Sequence, residues 1–557
     1  MTDTAELNFT WAWAIFDGLV ANGVKRVFIS PGSRSTPLAL AASRHPDIET
    51  RIVLDERTAA FMALGAARCE RQPAALVATS GTAVSQWLPA VTEADLSRTP
   101  LILLSADRPP ELHQCGANQT IQQRDLFGQR VRFSMELPVP GADLLQTACR
   151  FAAQAAATAR WPLQGPVHLN IPFREPLVPT SFNKPQGLAL PSVSRPVLDV
   201  DQERMDQLAL PMNGREGIII CGPETGNPLP AEEITALASR LKAPVLADPL
   251  SNLRWGSHQK GQIISHYDAC LRQPGFREQV KPAWVLRFGA MPVSKVLMEF
   301  LQGLDECSHI LVDPDGRWPD SLHHTKELIQ ADPARTASAL ADKVKPASGK
   351  YLGYWQQREQ ESMEILAGNQ PMEADIIGSI TGRLPAHCSL FCGNSLPVRQ
   401  LDWFSGTREA PLRIVCNRGA SGIDGNIASL LGMAVSTRPV VGLVGDLSLI
   451  HDIGALTETE GLNATILVLD NGGGAIFDHL PQSRLDEHET LFTTPRSIDL
   501  QAAARAFGLG YRKLQPLELD EALDEALGEQ GVRLLHVMLD RERSLKEHRA
   551  LWRLLSE

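Results

Sequence analysis

Two short stretches in the last third of the chain hold its densest chemistry. The apolar run VVGLVGD (440–446) leads into GDLS (445–448), and ATILVLD (464–470) leads into DNGGG (470–474). Asp446 and Asn471 stand 25 positions apart, a separation that suits strand, helix and next strand. Both side chains then emerge on the same edge of a parallel sheet. A carboxylate and an amide oxygen suit a hard cation such as Mg2+, which also takes phosphate oxygens. The glycines let the backbone approach closely and offer carbonyl ligands. Alone, either segment reads as a helix cap or a turn. Together, at this spacing, they favour a metal and a diphosphate.

Further polar residues stand at strand ends. Glu56, in LDERTAAF (54–61), follows the RIVL run; by itself it reads as an acid held at a helix N-terminus. Arg34 follows SPGS in VFISPGSRSTPL (27–38), a loop with the character of an anion site. Arg108 lies in SADRPPEL (105–112), Arg399 in GNSLPVRQ (393–400) and Arg418 in CNRGASGIDG (416–425). A single arginine is most often a surface ion pair. Four at such positions look like a cradle for carboxylates, which guanidinium forks match well. TSGTA (79–83) reads as backbone in close contact with a ligand rather than as a nucleophile turn. Cys388 and Cys392 match no zinc spacing, DEHET (486–490) lacks the i, i+4 histidines of a zinc helix, and no GxGxxG follows an N-terminal strand.

The elements that must position these residues form three α/β blocks. Strands are expected at 27–30, 51–54, 74–79, 101–105 and 167–171; then at 217–222, 243–248, 284–289 and 309–313; then at 389–393, 413–416, 440–446, 464–470 and 533–540. Helical spacing lies between them, as in RTAAFMALGAARCE (57–70). This alternation implies parallel sheets covered on both faces, with ligands at the carboxyl ends of strands. A proline-rich linker (175–198) and a weaker break (344–351) divide the chain into expected domains at 1–180, 199–345 and 352–557. No internal sequence repeat is evident. At 557 residues the chain is too long for one core, and its 43% hydrophobic and 21% charged composition is that of an ordinary globular protein. The net charge of −11 argues against nucleic-acid binding. No run is long enough to span a bilayer, and the N-terminus lacks the pattern of a signal peptide. The nine scattered cysteines read as reduced buried thiols, so the expected compartment is cytoplasmic.

Glu56 in the first block and GDLS…DNGG in the third resemble thiamine-diphosphate enzymes of the pyruvate-oxidase-like architecture. SPGSRSTPL, TSGTA, SADRPPEL, GANQTI, GNSLPVR, NRGASGIDG and NGGGAIF extend the likeness to the menaquinone-pathway 2-succinyl-5-enolpyruvyl-6-hydroxy-3-cyclohexene-1-carboxylate synthase family. The resemblance implies three consecutive parallel-sheet α/β domains, a pyrimidine-binding, a central and a diphosphate-binding one. It implies thiamine diphosphate with Mg2+ or Mn2+. The implied reaction decarboxylates 2-oxoglutarate and adds the succinyl carbanion to isochorismate in a 1,4-addition. Glu56 is then the catalytic carboxylate on the cofactor pyrimidine. Thr79, Gly81, Gly393, Ser395, Asp446, Leu447, Ser448 and Asn471 contact the cofactor, and Ile423 wedges it into a bent shape. Asp446, Asn471 and the Gly473 carbonyl hold the metal. Ser395, Arg399 and Arg418 take 2-oxoglutarate. Ser33, Arg34, Arg108, Asn118 and Gln119 take isochorismate, with Lys295 reaching toward it and Ile476 and Phe477 lining the cavity.

Two departures stand out. Where the family often carries Lys-Arg, this chain has Lys295-Val296, which leaves one cation for two. The usual Asn-Asn of the metal motif reads Asp470-Asn471, with Asp470 expected to be harmless. The resemblance also implies a homodimer, or a dimer of dimers, with active sites shared between subunits. Another thiamine-diphosphate carboligase or a 2-oxo acid decarboxylase is the alternative, against which the arginines count. A regulatory protein that kept the fold and lost the chemistry would have no need of Glu56, Asp446 and Asn471.

Overall fold

The computed structural model describes residues 3–437 and 439–557. It contains three six-stranded sheets, and every strand pair is parallel. The first sheet holds β1 (Arg26–Ile29), β2 (Glu49–Ile52), β3 (Ala74–Ala78), β4 (Leu101–Asp107), β5 (Ser134–Glu136) and β6 (Val167–Pro172), in the order β2-β1-β3-β4-β6-β5. The second holds β7 (Gly217–Cys221), β8 (Val245–Ala247), β9 (Ile263–Ile264), β10 (Trp284–Phe288), β11 (Ser308–Val312) and β12 (Thr325–Ile329), in the order β12-β11-β10-β7-β8-β9. The third holds β13 (Ser389–Cys392), β14 (Arg413–Val415), β15 (Val440–Gly445), β16 (Ala464–Asp470), β17 (Gly510–Leu514) and β18 (Val532–Met538), in the order β14-β13-β15-β16-β18-β17. The outer two sheets therefore share one topology, although no sequence repeat announces it.

Four of these strands, β5, β9, β12 and β17, are absent from the sequence expectation, and all four are sheet edges. A central strand is buried on both faces and reads as an unbroken apolar run, as in β3, β4 and β6. An edge strand is half covered, so β5 (SME) and β17 (GYRKL) carry no such signal. The run expected at 51–54 pairs two residues earlier, at Glu49–Ile52, because its partner β1 ends at Ile29 opposite Ile52. Leu54 is left exposed in the following loop.

The chain folds into two compact units. One comprises Met1–Pro196, Asn417–Thr437 and His451–Leu462; the other comprises Val197–Cys416, Arg438–Ile450 and Asn463–Glu557. In the first unit the helix Glu56–Glu70 packs on the helix Asn426–Ser436. Two glycines set their separation. A Cβ on Gly65 would lie 1.9 Å from the Ser429 carbonyl oxygen, and one on Gly432 would lie 2.0 Å from that of Met62. The backbones touch, and overpacking either contact would force the helices apart.

Apolar clusters fill each layer. Phe9, Trp11, Ile15 and Phe16 of the helix Thr4–Val20 cover one face of the first sheet with Val27, Val77, Leu104 and Leu169. Leu390, Val441, Leu467 and Leu535 lie in the core of the third sheet. No helix among the described residues is long and apolar enough to cross a membrane. No disulfide forms among them, and seven of the nine cysteines are buried.

Candidate active site

In the first unit the predicted residues gather at the carboxyl ends of β1 to β4, around the reversal of strand order at β1 and β3. Arg34 follows β1 and is buried. Its Nη1 donates to the Phe173 carbonyl (2.9 Å), and its Nη2 pairs with Glu175 (2.8 Å). Its Nε is buried without a hydrogen-bond partner. Ser33, beside it, is exposed. Arg108 follows β4 and donates from Nη1 to Ser80 Oγ. Burial lowers the Arg108 pKa, and the positive charge of Arg34 lowers it further, so the two guanidiniums lie within electrostatic reach of each other. The carboxylates of Asp107 and Glu175 act on Arg108 in the opposite sense. Thr79 is buried after β3, so close to the loop after β1 that a Cβ on Gly32 would sit 2.3 Å from its own Cβ. Gly81 adopts φ +86°, which favours glycine. Ser80 Oγ donates to the Gln119 carbonyl (2.9 Å), and Gln119 Nε2 donates to the Ser80 carbonyl (3.0 Å). Asn118 lies exposed next to it.

Glu56 is the first residue of the helix Glu56–Glu70, capped by Asp55, whose Oδ1 accepts from the Thr58 N–H (2.8 Å). Its carboxylate is half-buried at the helix N-terminus. The loop carrying Arg418 and Ile423 belongs to the same unit. Glu93, 3% exposed, accepts there from the N–H groups of Gly419 (2.8 Å), Ala420 (2.6 Å) and Ser421 (3.4 Å). Ile423 is 41% exposed, which rules out simple core packing as its role.

In the second unit, Gly393 and Ser395 follow β13, Asp446 follows β15, and Asn471 and Gly473 follow β16. β15 and β16 are neighbours in register, with Gly445 opposite Leu469, so Asp446 and Asn471 leave adjacent strands at the same edge. Ser395 adopts φ 72° and ψ −127° as it caps the helix Leu396–Phe404, a conformation that strains any residue with a Cβ. Arg399 Nη1 donates to the Ser395 carbonyl (2.7 Å), which brings the two predicted 2-oxoglutarate contacts together. Leu447 and Ser448 continue from Asp446 in the short helix Asp446–His451. Ile476 and Phe477 lie in the turn Ala475–His479, where Phe477 packs on Phe492 at 5.5 Å. Asp478 fixes that turn through a bidentate pair with Arg541.

Burial pushes the Asp446 carboxyl up to about 7, and the charge of Asp470 adds to the shift. The Asn471 Oδ1 is buried with no hydrogen-bond partner. A buried carboxylate held by backbone N–H groups and an amide oxygen without a partner, at one sheet edge, are the donors a hard cation takes. No cluster of three or more His, Cys, Asp or Glu suited to a metal occurs among the described residues. A site built from one carboxylate, one amide and a carbonyl needs none. Gly473 reaches Asp446 through its N–H, which favours the ionised carboxylate, while its φ of +136° and its contact with Thr493 O leave no room for a side chain.

Residues 9–127 match the family "Thiamine pyrophosphate enzyme, N-terminal TPP binding domain", residues 199–392 the "Middle domain of thiamine pyrophosphate", and residues 403–537 the "C-terminal TPP binding domain". The 2-succinyl-5-enolpyruvyl-6-hydroxy-3-cyclohexene-1-carboxylate synthase of Dechloromonas aromatica is 44% identical over 92% of this chain and 94% of its own. Those of Chloroflexus aurantiacus and Geobacillus kaustophilus are 41% and 40% identical, over 98% and 97% of this chain and 96% and 97% of theirs. The chain belongs to this synthase family. It is a thiamine-diphosphate enzyme and a transferase.

Two features of this synthase-family chain bear on the departures. Val296 packs against the core beside Leu297, while Lys295, first in the helix Lys295–Gln302, is 79% exposed with Glu299 at 3.6 Å. The position after Lys295 thus faces inward here and suits an apolar residue. Asp470 is not harmless. Its hydrogen bond from His536 (2.7 Å) holds its pKa down, so it stays ionised, and its charge acts on Asp446. Sequence reasoning also missed Glu93, a lone acid in a helix with no motif around it. Ser80 lies within TSGTA, and its hydroxyl bridges Arg108 and Gln119, a contact that no local spacing reveals.

Proposed function

We propose that this chain converts 2-oxoglutarate and isochorismate into 2-succinyl-5-enolpyruvyl-6-hydroxy-3-cyclohexene-1-carboxylate and carbon dioxide, a step of menaquinone biosynthesis. The observation that carries the reading is the pairing of Arg34 and Arg108 at the carboxyl ends of β1 and β4, near enough for the charge of Arg34 to act on Arg108, which suits an acceptor bearing carboxylates. A small neutral acceptor has no use for it.

Thiamine diphosphate, when bound, supplies the nucleophilic carbon and the electron sink for loss of carbon dioxide. Asp446, Asn471 and the Gly473 carbonyl would hold Mg2+ or Mn2+ beside the diphosphate, whose charge such an ion would offset. Gly393, Leu447 and Ser448 bring backbone against the same group, and Thr79 and Gly81 bring theirs against the pyrimidine. Glu56 would bind a pyrimidine ring nitrogen and share a proton with it, which would favour the imino form of the ring. Ile423 presents an apolar wedge to the ring system. Ser395, Arg399 and Arg418 orient the carboxylates of 2-oxoglutarate. Ser33, Arg34, Arg108, Asn118, Gln119 and Lys295 orient those of isochorismate, while Ile476 and Phe477 exclude water from the cavity. The working molecule is a cytoplasmic homodimer or dimer of dimers with active sites shared between subunits.

The test is direct. The purified protein is mixed with thiamine diphosphate, Mg2+, 2-oxoglutarate and isochorismate, and isochorismate absorbance is followed. Consumption that requires all four supports the reading. No consumption, with pyruvate turned over instead, overturns it.

A further inference from the structure

The segment from Arg108 to Phe133, between β4 and β5, contains no helix longer than three residues, yet it carries Asn118 and Gln119. Something other than secondary structure must hold it against the sheet. Gln123 does so, and it is fully buried. Its Oε1 accepts from the Gly81 N–H (2.9 Å). Its Nε2 donates to the Ala106 carbonyl (3.2 Å) and to Asn170 Oδ1 (2.8 Å). Asn170, also buried, donates from Nδ2 to Asp107 Oδ2 (2.8 Å), and Asp107 Oδ1 accepts from the Arg108 N–H (2.7 Å). Arg108 then reaches back from Nη1 to Ser80, the residue before Gly81. The hydrogen bonds close a ring: Gly81, Gln123, Asn170, Asp107, Arg108, Ser80.

We infer that Gln123, backed by Asn170, is a positioning residue that locks the isochorismate-side groups Arg108 and Gln119 in register with the Ser80–Gly81 turn. The inference rests on the function proposed above. Gln123 touches neither cofactor nor substrate; it acts by fixing the backbone of the turn and of the segment that faces it. The side chain is specific for this task. Only a primary amide presents an acceptor to the Gly81 N–H and, on the same carbon, two donors to two oxygens. A carboxylate keeps the first contact and sets acceptor against acceptor at the other two. A leucine fills the volume, takes the acceptor from the Gly81 N–H and leaves the Asn170 oxygen with Ser105 Oγ (2.8 Å) in place of two donors.

The test separates the two half-reactions. In Gln123→Leu and in the near-isosteric Gln123→Glu, the KM for isochorismate is expected to rise about tenfold, the loss matching one to two buried hydrogen bonds. Single-turnover release of carbon dioxide from 2-oxoglutarate, measured at saturating thiamine diphosphate because Gly81 also faces the cofactor, is expected to stay within about twofold of wild type, since it does not use Arg108 or Gln119. If Gln123→Leu does not fold, Gln123→Glu carries the test, with far-UV circular dichroism as the check on folding. An unchanged KM for isochorismate, or an equal loss in both half-reactions, would overturn the inference. Wild-type protein run alongside keeps the two ideas apart. If it fails to consume isochorismate, the function is wrong; if it succeeds and the variants match it, only the role of Gln123 is wrong.

Discussion

Glu93→Ala should release the loop that carries Arg418 and Ile423. Its carboxylate accepts from three consecutive backbone N–H groups, two of them at 2.8 Å and 2.6 Å. Truncation leaves the two close donors buried without an acceptor, at about 1–3 kcal/mol each. Part of that cost is offset because a buried carboxyl is no longer held away from water, the cause that raises the Glu93 pKa against the opposing pull of Arg68 and the three N–H groups. A net local loss of about 2–4 kcal/mol follows, which corresponds to amide exchange about a hundredfold faster in a peptide covering 417–424. Hydrogen exchange read by mass spectrometry checks this at peptide resolution. Gly419→Ala should give the same signature, because its Cβ would come within 2.6 Å of the Glu93 carbonyl oxygen and 2.7 Å of the Ser97 nitrogen. The pH dependence has a definite sign. A carboxyl raised by folding contributes stability that is complete below its unfolded pKa and declines as pH rises through the folded value, so the Glu93→Ala penalty is larger in acid. Unchanged exchange at 417–424 in both variants would refute the reasoning.

Three other outcomes are expected. Glu56→Gln should keep thiamine diphosphate affinity and lose turnover by about a hundredfold or more; near-normal turnover would leave Glu56 as a helix-terminal acid only. Asn471→Leu should weaken Mg2+-dependent cofactor retention by more than about tenfold while leaving the apo-protein at least as stable as wild type, because the Asn471 Oδ1 is already buried without a partner; calorimetry with and without Mg2+ reads both, and a destabilised apo-protein with intact metal affinity would count against it. Burial pushes the His168 pKa down to about 3, so the folded state resists the proton that the unfolded chain takes up near its ordinary value. Stability present at neutral pH should therefore fall by about 1.4 kcal/mol per pH unit on acidification below the ordinary histidine range, and denaturant titrations of His168→Gln at about pH 7 and about pH 4.5 should lack that slope; an identical slope would show that His168 does not titrate in this way.

Much of the architecture is legible from residues alone. Fourteen strands lie at or near the runs that predict them; twelve are central strands, buried on both faces of a parallel sheet, and two, β2 and β14, are edges. The candidate site is legible for a related reason. In such sheets ligands gather at strand ends, and those ends are where the apolar runs stop and Glu56, Arg34, Arg108, Asp446 and Asn471 begin. Four of the six edge strands escaped because one uncovered side removes the pattern, as in β5 and β17.

The sequence by itself determined the fold class and the family and singled out the groups proposed to meet ligands, since these rest on local patterns and short motifs. Tertiary structure decided what surrounds them. Only the fold brings the Arg34 and Arg108 charges within reach of each other, sets ionised Asp470 against Asp446, turns Val296 inward and joins Gln123 to Gly81 across 42 positions. Each is a matter of distance between residues far apart in the chain. Burial then makes those distances count, because a charge or an unpaired hydrogen-bonding group acts strongly only where water is excluded.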